Sequence, residues 1–588
     1  MPVTVVKIRY LPCSHYRHVL SILLLLITIE PHYNVYIMEK SEKNAKKTDG
    51  KKSLVRSGLV LTLMTLASRI MGLLREMTKA SFLGTSMHAD AFATAFMIPN
   101  LLRRLFAENA ISVAFIPTFK KYLAKGDDEN NHAETQEFLK ATFTLVSFLT
   151  ACVVVLGIII TPLIVPLFCK KPVDPTAADY AMQLQAWLLK KDEITILTRI
   201  MFPYLFVISI AAFFQGILNG CKIFAPSGFT PVLFNGIVIL ATYVLSPYTS
   251  NPARAMSIGV IIGGCVQALF QWPFIRQTGW KVCFTSLKKT FTNPGTKCVM
   301  ALILPTVVGM AAYQLNDLVS TALANRTGEG IASSLQYSLR LQELILGLFA
   351  VSIGTVILPD LSGLANNKKW DEFNIMLIQA IKIMTLISIP VTAYSLVTGK
   401  ELISLLYKSR SFDDNSVALT LGAFQFHISG LLFIALNRII SPAFYAQGNA
   451  KLPTAAGIIS FGINIILVLI LSPFMKGNGI ALALSIASAV NTVFLFIFMH
   501  KLDSIQLGKV IKDTILYVIK IAVFSVIATL PCALLRPHLN AMFEGHSRLV
   551  TYGAPAFILA MLFAIIGVLE LIITRDEIAV TIFKKIKK

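Results

Sequence analysis

Between Leu59 and Ile573 the chain returns repeatedly to apolar runs of about 20 residues that carry few or no charges, the length a helix needs to cross hydrocarbon. No soluble fold has room to bury so many. In lipid every backbone N–H and C=O must be satisfied within the protein, so runs of this length specify spanning helices and not barrel strands. Fourteen such stretches are expected, near residues 59–83, 89–119, 140–168, 196–220, 229–247, 254–275, 299–325, 333–360, 373–397, 416–446, 453–474, 479–500, 512–535 and 550–573. The fold class is therefore all-α, a polytopic integral membrane protein with about 14 transmembrane helices. A mean hydropathy of +0.69, with 14% of residues charged, agrees.

The formal charge of +22 does not mark a nucleic-acid binder, because the basic residues lie between apolar spans and at the two ends. The loop from Arg276 to Lys297 carries Arg276, Lys281, Lys288, Lys289 and Lys297 and no acid. Lys368, Lys369, Lys501, Lys509, Lys512 and the C-terminal lysines fall on the same side, which places both termini in the cytoplasm by the positive-inside rule. Residues 1–57 stand apart: a short apolar run, Val19 to Ile29, precedes a Lys-rich stretch, and Met38 is the more natural start, so residues 1–37 are expected to be an upstream extension without a role. The eight cysteines show no C-x-x-C pair and read as ordinary thiols, not as a metal or disulfide site.

Charges inside the spans carry the functional information, because each is costly in the bilayer and usually faces a polar cavity. The first span holds Arg69, Arg75 and Glu76; the second holds Arg103, Arg104 and Glu108, with Asp90 at its entry; the seventh holds Asp317, the eighth Arg340 and Glu343, and the tenth Arg438. Arg104 with Glu108 and Arg340 with Glu343 are spaced to neutralise one another along a helix. Yet Arg69, Arg75, Arg103 and Arg340 outnumber the nearby acids, and a guanidinium offers a planar fork of donors that fits phosphate oxygens. Both readings stand: structural ion pairs, or a cationic cavity for an anion. Ala110-Ile111-Ser112-Val113 is echoed six spans later by Ala350-Val351-Ser352-Ile353, each followed by a proline, Pro117 and Pro359, as expected of two parallel halves. Asp127-Asp128-Glu129 and Asp413-Asp414 read as solvated loop charge. No Walker motif, G-x-S-x-G or H-E-x-x-H is present, so neither an ATP-driven pump nor an enzyme is indicated.

The stretch Thr65 to Arg75 (TLASRIMGLLR), then Asp90-Ala91-Phe92, the run from Ile98 to Glu108 (IPNLLRRLFAE) and Ala114-Phe115-Ile116-Pro117 resembles the N-terminal signature of the MurJ (MviN) family. Weaker matches continue at Gly216-Ile217-Leu218-Asn219, Gly263-Gly264, Gln314 with Asn316, and Arg340 with Glu343. The resemblance implies a multidrug/oligosaccharidyl-lipid/polysaccharide exporter fold: two six-helix lobes, here 58–275 and 299–500, a basic cytoplasmic loop over 276–298, and two further helices with a basic tail over 501–588. It implies a transporter in the bacterial inner membrane that flips lipid II, the undecaprenyl-pyrophosphate carrier of the disaccharide-pentapeptide, by alternating access. The cell-wall synthesis machinery is the implied partner besides lipid and membrane. Substrate-binding residues implied are Arg69, Arg75, Arg103, Arg340, Asp90, Glu108 and Glu343, with no catalytic residue, metal or cofactor. Sodium coupling is not expected, since Asp317 is the only carboxylate in spans 7, 11 and 12. This chain departs from the family pattern at Asn109, Ile345 and an insertion-like loop from Lys170 to Asp192. The alternatives are export of another polyprenyl-linked sugar or a drug, a membrane transferase, and a scaffold without transport.

Overall fold

A computed structural model describes residues 50–105, 111–172, 174–176 and 178–580. Two compact units divide the chain, residues 1–65 and 66–588. The described part of the first is the opening stretch of one helix, and the second holds every other element. The upstream extension expected over 1–37, Cys13, Glu108, Asn109 and the Ala110 of the repeat lie outside the described residues.

In chain order the helices are α1 (Gly50–Leu83), α2 (Met87–Leu102), a π-helical turn (Ile111–Phe115), α3 (Ile116–Asp128), α4 (Ala133–Ile164), α5 (Tyr180–Gly220), α6 (Ala225–Leu245), α7 (Pro252–Gln277), α8 (Leu287–Thr292), α9 (Pro294–Thr327), α10 (Ile331–Asn366), α11 (Trp370–Tyr407), α12 (Asp414–Ser429), α13 (Leu431–Tyr445), α14 (Lys451–Met499), α15 (Leu507–Met542) and α16 (Ala554–Ile573). Over its described residues, each apolar stretch read from the sequence falls on one or more of these helices. Local chemistry sets several starts. Asn251 and Asn293 accept backbone N–H groups ahead of Pro252 and Pro294, and Asp413 accepts from Ser416 N at 2.8 Å.

Three interruptions divide these helices, of which the sequence places the one between residues 474 and 479. The tenth stretch is α12 and α13, bent by 42°; at their junction, Gly430, a Cβ would come within 2.5 Å of the Ser485 hydroxyl. The eleventh and twelfth are α14, broken at Lys476, which has a φ of 49°. The second stretch passes through the π-helical turn at Ile111–Phe115, whereas its proposed repeat copy lies within α10. Residues Tyr180–Asp192, read from sequence as part of an inserted loop, instead form the first turns of α5. Their composition explains this, since Ala, Met, Gln, Leu and Lys are strong helix formers.

Among the described residues nine helices are long and apolar enough to cross a membrane, or ten counting the bent pair as one span. Arg69, Arg75, Asp90, Asp317 and Arg340 lie on α1, α2, α9 and α10. Apolar side chains on the outside, such as Leu163, Phe474 and Ile573, face lipid instead of a core.

Aromatic stacks fill the interior of the first half: Phe115 meets Phe213 with ring centroids 4.8 Å apart and Phe138 at 5.9 Å. Tyr337, Tyr407 and Phe412 do the same in the second half. α1 straddles both halves, with Ala80 packed in the second-half cluster and Leu83 in the first.

α15 is tied to α11 by a buried carboxylate. Glu401 accepts from Arg536 Nε at 2.8 Å and from Asn540 Nδ2 at 2.7 Å. Removing one partner strands a charge in a low-dielectric site, so Arg536→Ala is expected to cost about 3 kcal/mol. Thermal unfolding in detergent checks this: the variant melts several degrees lower, and adding Glu401→Gln recovers most of the loss. No recovery would assign the effect to lost packing.

Candidate translocation cavity

Two adjoining cavities lie between the halves, and Arg75, Phe96, Asn100, Arg104, Arg340 and Glu343 line both. The smaller, about 420 Å³, brings together Arg69, Arg75, Arg103, Arg104 and Arg340 against a single acid among the described residues, Glu343. The larger, about 530 Å³, adds Glu76, Lys79, Asp317 and Arg438 and a wall of amides and hydroxyls that includes Asn316, Asn437, Ser488 and Asn491.

Each arginine is placed by a local device. Arg75 donates to Glu76 Oε1 at 2.9 Å, and its guanidinium lies 6.0 Å from the ring centroids of both Phe96 and Phe234. Arg103 donates from Nε to Asn100 Oδ1 at 3.0 Å, one turn back on the same face. Arg69 lies against Gly347 of α10, where a Cβ would come within 1.6 Å of Nη1 and displace the guanidinium from this position. Arg340 pairs with Glu343 at 2.7 Å, as the spacing implied, and reaches Glu76 of α1 at 3.7 Å.

Arg104, whose partner four positions on, Glu108, lies outside the described residues, makes contacts beyond those its spacing along the helix implies. It crosses from α2 to α9, donating to Gln314 Oε1 at 3.2 Å and approaching Asp317 Oδ2 at 3.6 Å. A contact over that sequence separation carries no local signature. Lys79, which the sequence reading passed over, is also at the site: it pairs with Glu76 Oε2 at 2.7 Å, donates to Gln336 Oε1 at 3.2 Å and sits 4.4 Å above the Tyr337 ring. Its one sequence signal was spacing, since it lies a turn after Arg75 and Glu76 on the same helix.

Asp90 lines neither cavity. It is fully buried, and its carboxylate accepts N–H groups from Gly330 at 2.8 Å and Ser333 at 2.9 Å, capping α10, while Lys190 of α5 lies 3.2 Å away. It belongs to a seam between α1–α2 and the second half. Tyr337 donates its hydroxyl to Gly84 O at 3.0 Å, the Thr85 and Ser416 hydroxyls are 2.8 Å apart, and Asn325 donates to Thr94 Oγ1 at 2.6 Å. Gly84 has a φ of +55°, and a Cβ there would come within 1.9 Å of Ser411 O. These contacts tie α1 and α2 to the second half.

The family model for lipid II flippase MurJ matches residues 79–544. This chain belongs to the MurJ family. Among curated MurJ proteins, a probable lipid II flippase MurJ of Treponema pallidum is 45% identical over 539 residues, covering 91% of this chain and 99% of that one. A probable lipid II flippase MurJ of Vibrio cholerae is 32% identical, over 81% and 88% of the two chains. A solved lipid II flippase MurJ in an inward closed conformation superposes with a TM-score of 0.70 at 26% identity, over 88% of this chain and 99% of that one. An inward-facing multidrug MATE transporter shares the fold at a TM-score of 0.55 and 14% identity. As a MurJ-family member with many apolar spans, the chain is a multi-pass inner-membrane transporter, not an enzyme.

Proposed function

We propose that this chain flips lipid II from the inner to the outer leaflet, binding its pyrophosphate in the smaller cavity. The observation that carries the reading is the concentration there of Arg69, Arg75, Arg103, Arg104 and Arg340 against one acid among the described residues, Glu343. A pyrophosphate leaves water only where fixed donors replace its hydration, and guanidinium forks match its oxygens. The amide- and hydroxyl-lined larger cavity suits the sugar and peptide of the head group. Both termini lie in the cytoplasm in this reading, on the charge bias of the loops. The Gly84–Thr94 seam then closes the periplasmic side, and the cavity loads from the cytoplasm.

Residues 58–275 and 299–500 act as the two bodies that rock about the cavity, linked by the basic segment 276–298. α15 and α16, with exposed apolar faces at Val526, Leu530, Phe557 and Ile565, border the polyprenyl chain. Glycan polymerases and transpeptidases that use lipid II are the natural partners on the far side.

Depletion of the protein is expected to trap lipid II in the inner leaflet, with rescue by the wild-type gene. Leaflet-resolved lipid II labelling in spheroplasts measures this. Unchanged surface lipid II after depletion leaves export of another polyprenyl-linked sugar as the function.

A further inference from the structure

Glu76 sits at the centre of a ladder that joins the halves. On α1, Arg75, Glu76 and Lys79 face Gln336, Tyr337 and Arg340 of α10. The Glu76 carboxylate holds Arg75 at 2.9 Å, Lys79 at 2.7 Å and Arg340 at 3.7 Å. It is 5% exposed, and Lys79 is 3% exposed. Two of these three cations, Arg75 and Arg340, line both cavities and so belong to the proposed anion site. Glu76 therefore occupies the electrostatic position that a substrate phosphate needs.

We infer that Glu76 is the cavity's own counter-anion and that Lys79 is the positioning residue that keeps it when substrate phosphate takes Arg75 and Arg340. This rests on the lipid II reading. Three features of the geometry lead there. Lys79 lies on the same helix as Glu76, so their pairing survives a movement of α10, whereas the Arg340–Glu76 contact crosses between helices and does not. Lys79 is anchored by Gln336 and by the Tyr337 ring, 4.4 Å below its ammonium, and so is held near Glu76; it lines the larger cavity but not the smaller one that takes the anion. A buried carboxylate also cannot be left without a cation, so exchange of arginine from Glu76 to phosphate requires a third partner to remain. Without Lys79, Glu76 turns to the two arginines and competes with the substrate for both. Binding of the phosphate then loosens a contact between α1 and α10 while leaving no buried charge unpaired, which couples occupancy to separation of the halves.

The test is a binding cycle with undecaprenyl pyrophosphate, titrated into the purified full-length protein in nanodiscs. Lys79→Met is expected to weaken binding at least tenfold. In a Glu76→Gln background, where no carboxylate competes, the same Lys79→Met change is expected to alter affinity by less than threefold. An equal loss in both backgrounds overturns the inference, since Lys79 then acts as a plain charge on the ligand or through packing; so does unchanged binding by Lys79→Met alone. Should Lys79→Met alone fail to purify as a monodisperse protein, Glu76→Gln with and without Lys79→Met decides, a tenfold difference between them overturning the inference. Failure of the wild-type protein to bind undecaprenyl pyrophosphate at all counts instead against the proposed lipid II function.

Discussion

Alanine in place of Arg75 is expected to abolish rescue of a depleted strain and to weaken binding of undecaprenyl pyrophosphate by about a hundredfold. Arg75 lines both cavities, so it is available to the anion wherever the head group sits along the path. Its guanidinium is already oriented by Glu76 at 2.9 Å and flanked by Phe96 and Phe234, so little side-chain freedom is lost when an oxyanion arrives. Truncating one partner of a desolvated charge pair typically costs about 2–5 kcal/mol, and about 2.7 kcal/mol corresponds to a hundredfold in affinity. The loss is functional and not a loss of fold, because Glu76 keeps Lys79 and Arg340 as partners. Arg75→Lys is expected to fall between, near tenfold, since it keeps the charge but loses the fork. Binding titrations and complementation at matched expression measure both. Full rescue by Arg75→Ala would remove the anion site from this cavity.

The spans were readable because an apolar run of twenty residues has few alternatives to a membrane helix, and the positions of Arg69, Arg75, Arg103 and Arg340 stood out against that background. Pairing between helices was not readable. Arg104 reaches Gln314, 210 positions on, and Asp317, contacts that no spacing along α2 reports. Periodicity reports the face of one helix and says nothing of which residue faces it from another. Asp90 reads as a cavity carboxylate for a related reason: its main partners are the amides of Gly330 and Ser333, and a backbone N–H has no sequence signature. The bend at Gly430 is hidden because hydropathy averages across it, whereas the gap between the eleventh and twelfth stretches falls on the break at Lys476. Polarity alone makes Tyr180–Asp192 look like a loop, whereas the helix propensity of the same residues points to the helix that forms.

Asp90→Ala is expected to shift the protein toward the state in which the seam is open, with loss of transport at normal expression. Asp90 is fully buried and holds Gly330 N, Ser333 N and Lys190 together, linking α2, α5 and the first turn of α10. Without the carboxylate, Lys190, which lies in the same half as Asp90, loses its counter-charge in both states; in addition the two α10 amides lose their charged acceptor, at a cost of about 3 kcal/mol for the two hydrogen bonds. That cost falls on the closed state alone, because separating the halves parts Asp90 from α10 in any case. A differential of about 3 kcal/mol moves a two-state equilibrium by about 150-fold, enough to convert a mostly closed population to a mostly open one. Cysteines at 85 and 416 report the change directly, since the Thr85 and Ser416 hydroxyls are 2.8 Å apart and disulfide geometry is within reach. Cross-linking is expected to be near complete in the wild-type background and to drop severalfold with Asp90→Ala. Asp90→Asn, which keeps one acceptor but not the charge, is expected to lie between. If transport is lost while cross-linking stays complete, Asp90 acts on the substrate path and not on closure. If both stay intact, the Gly84–Tyr337 and Thr94–Asn325 contacts hold the closed end without it.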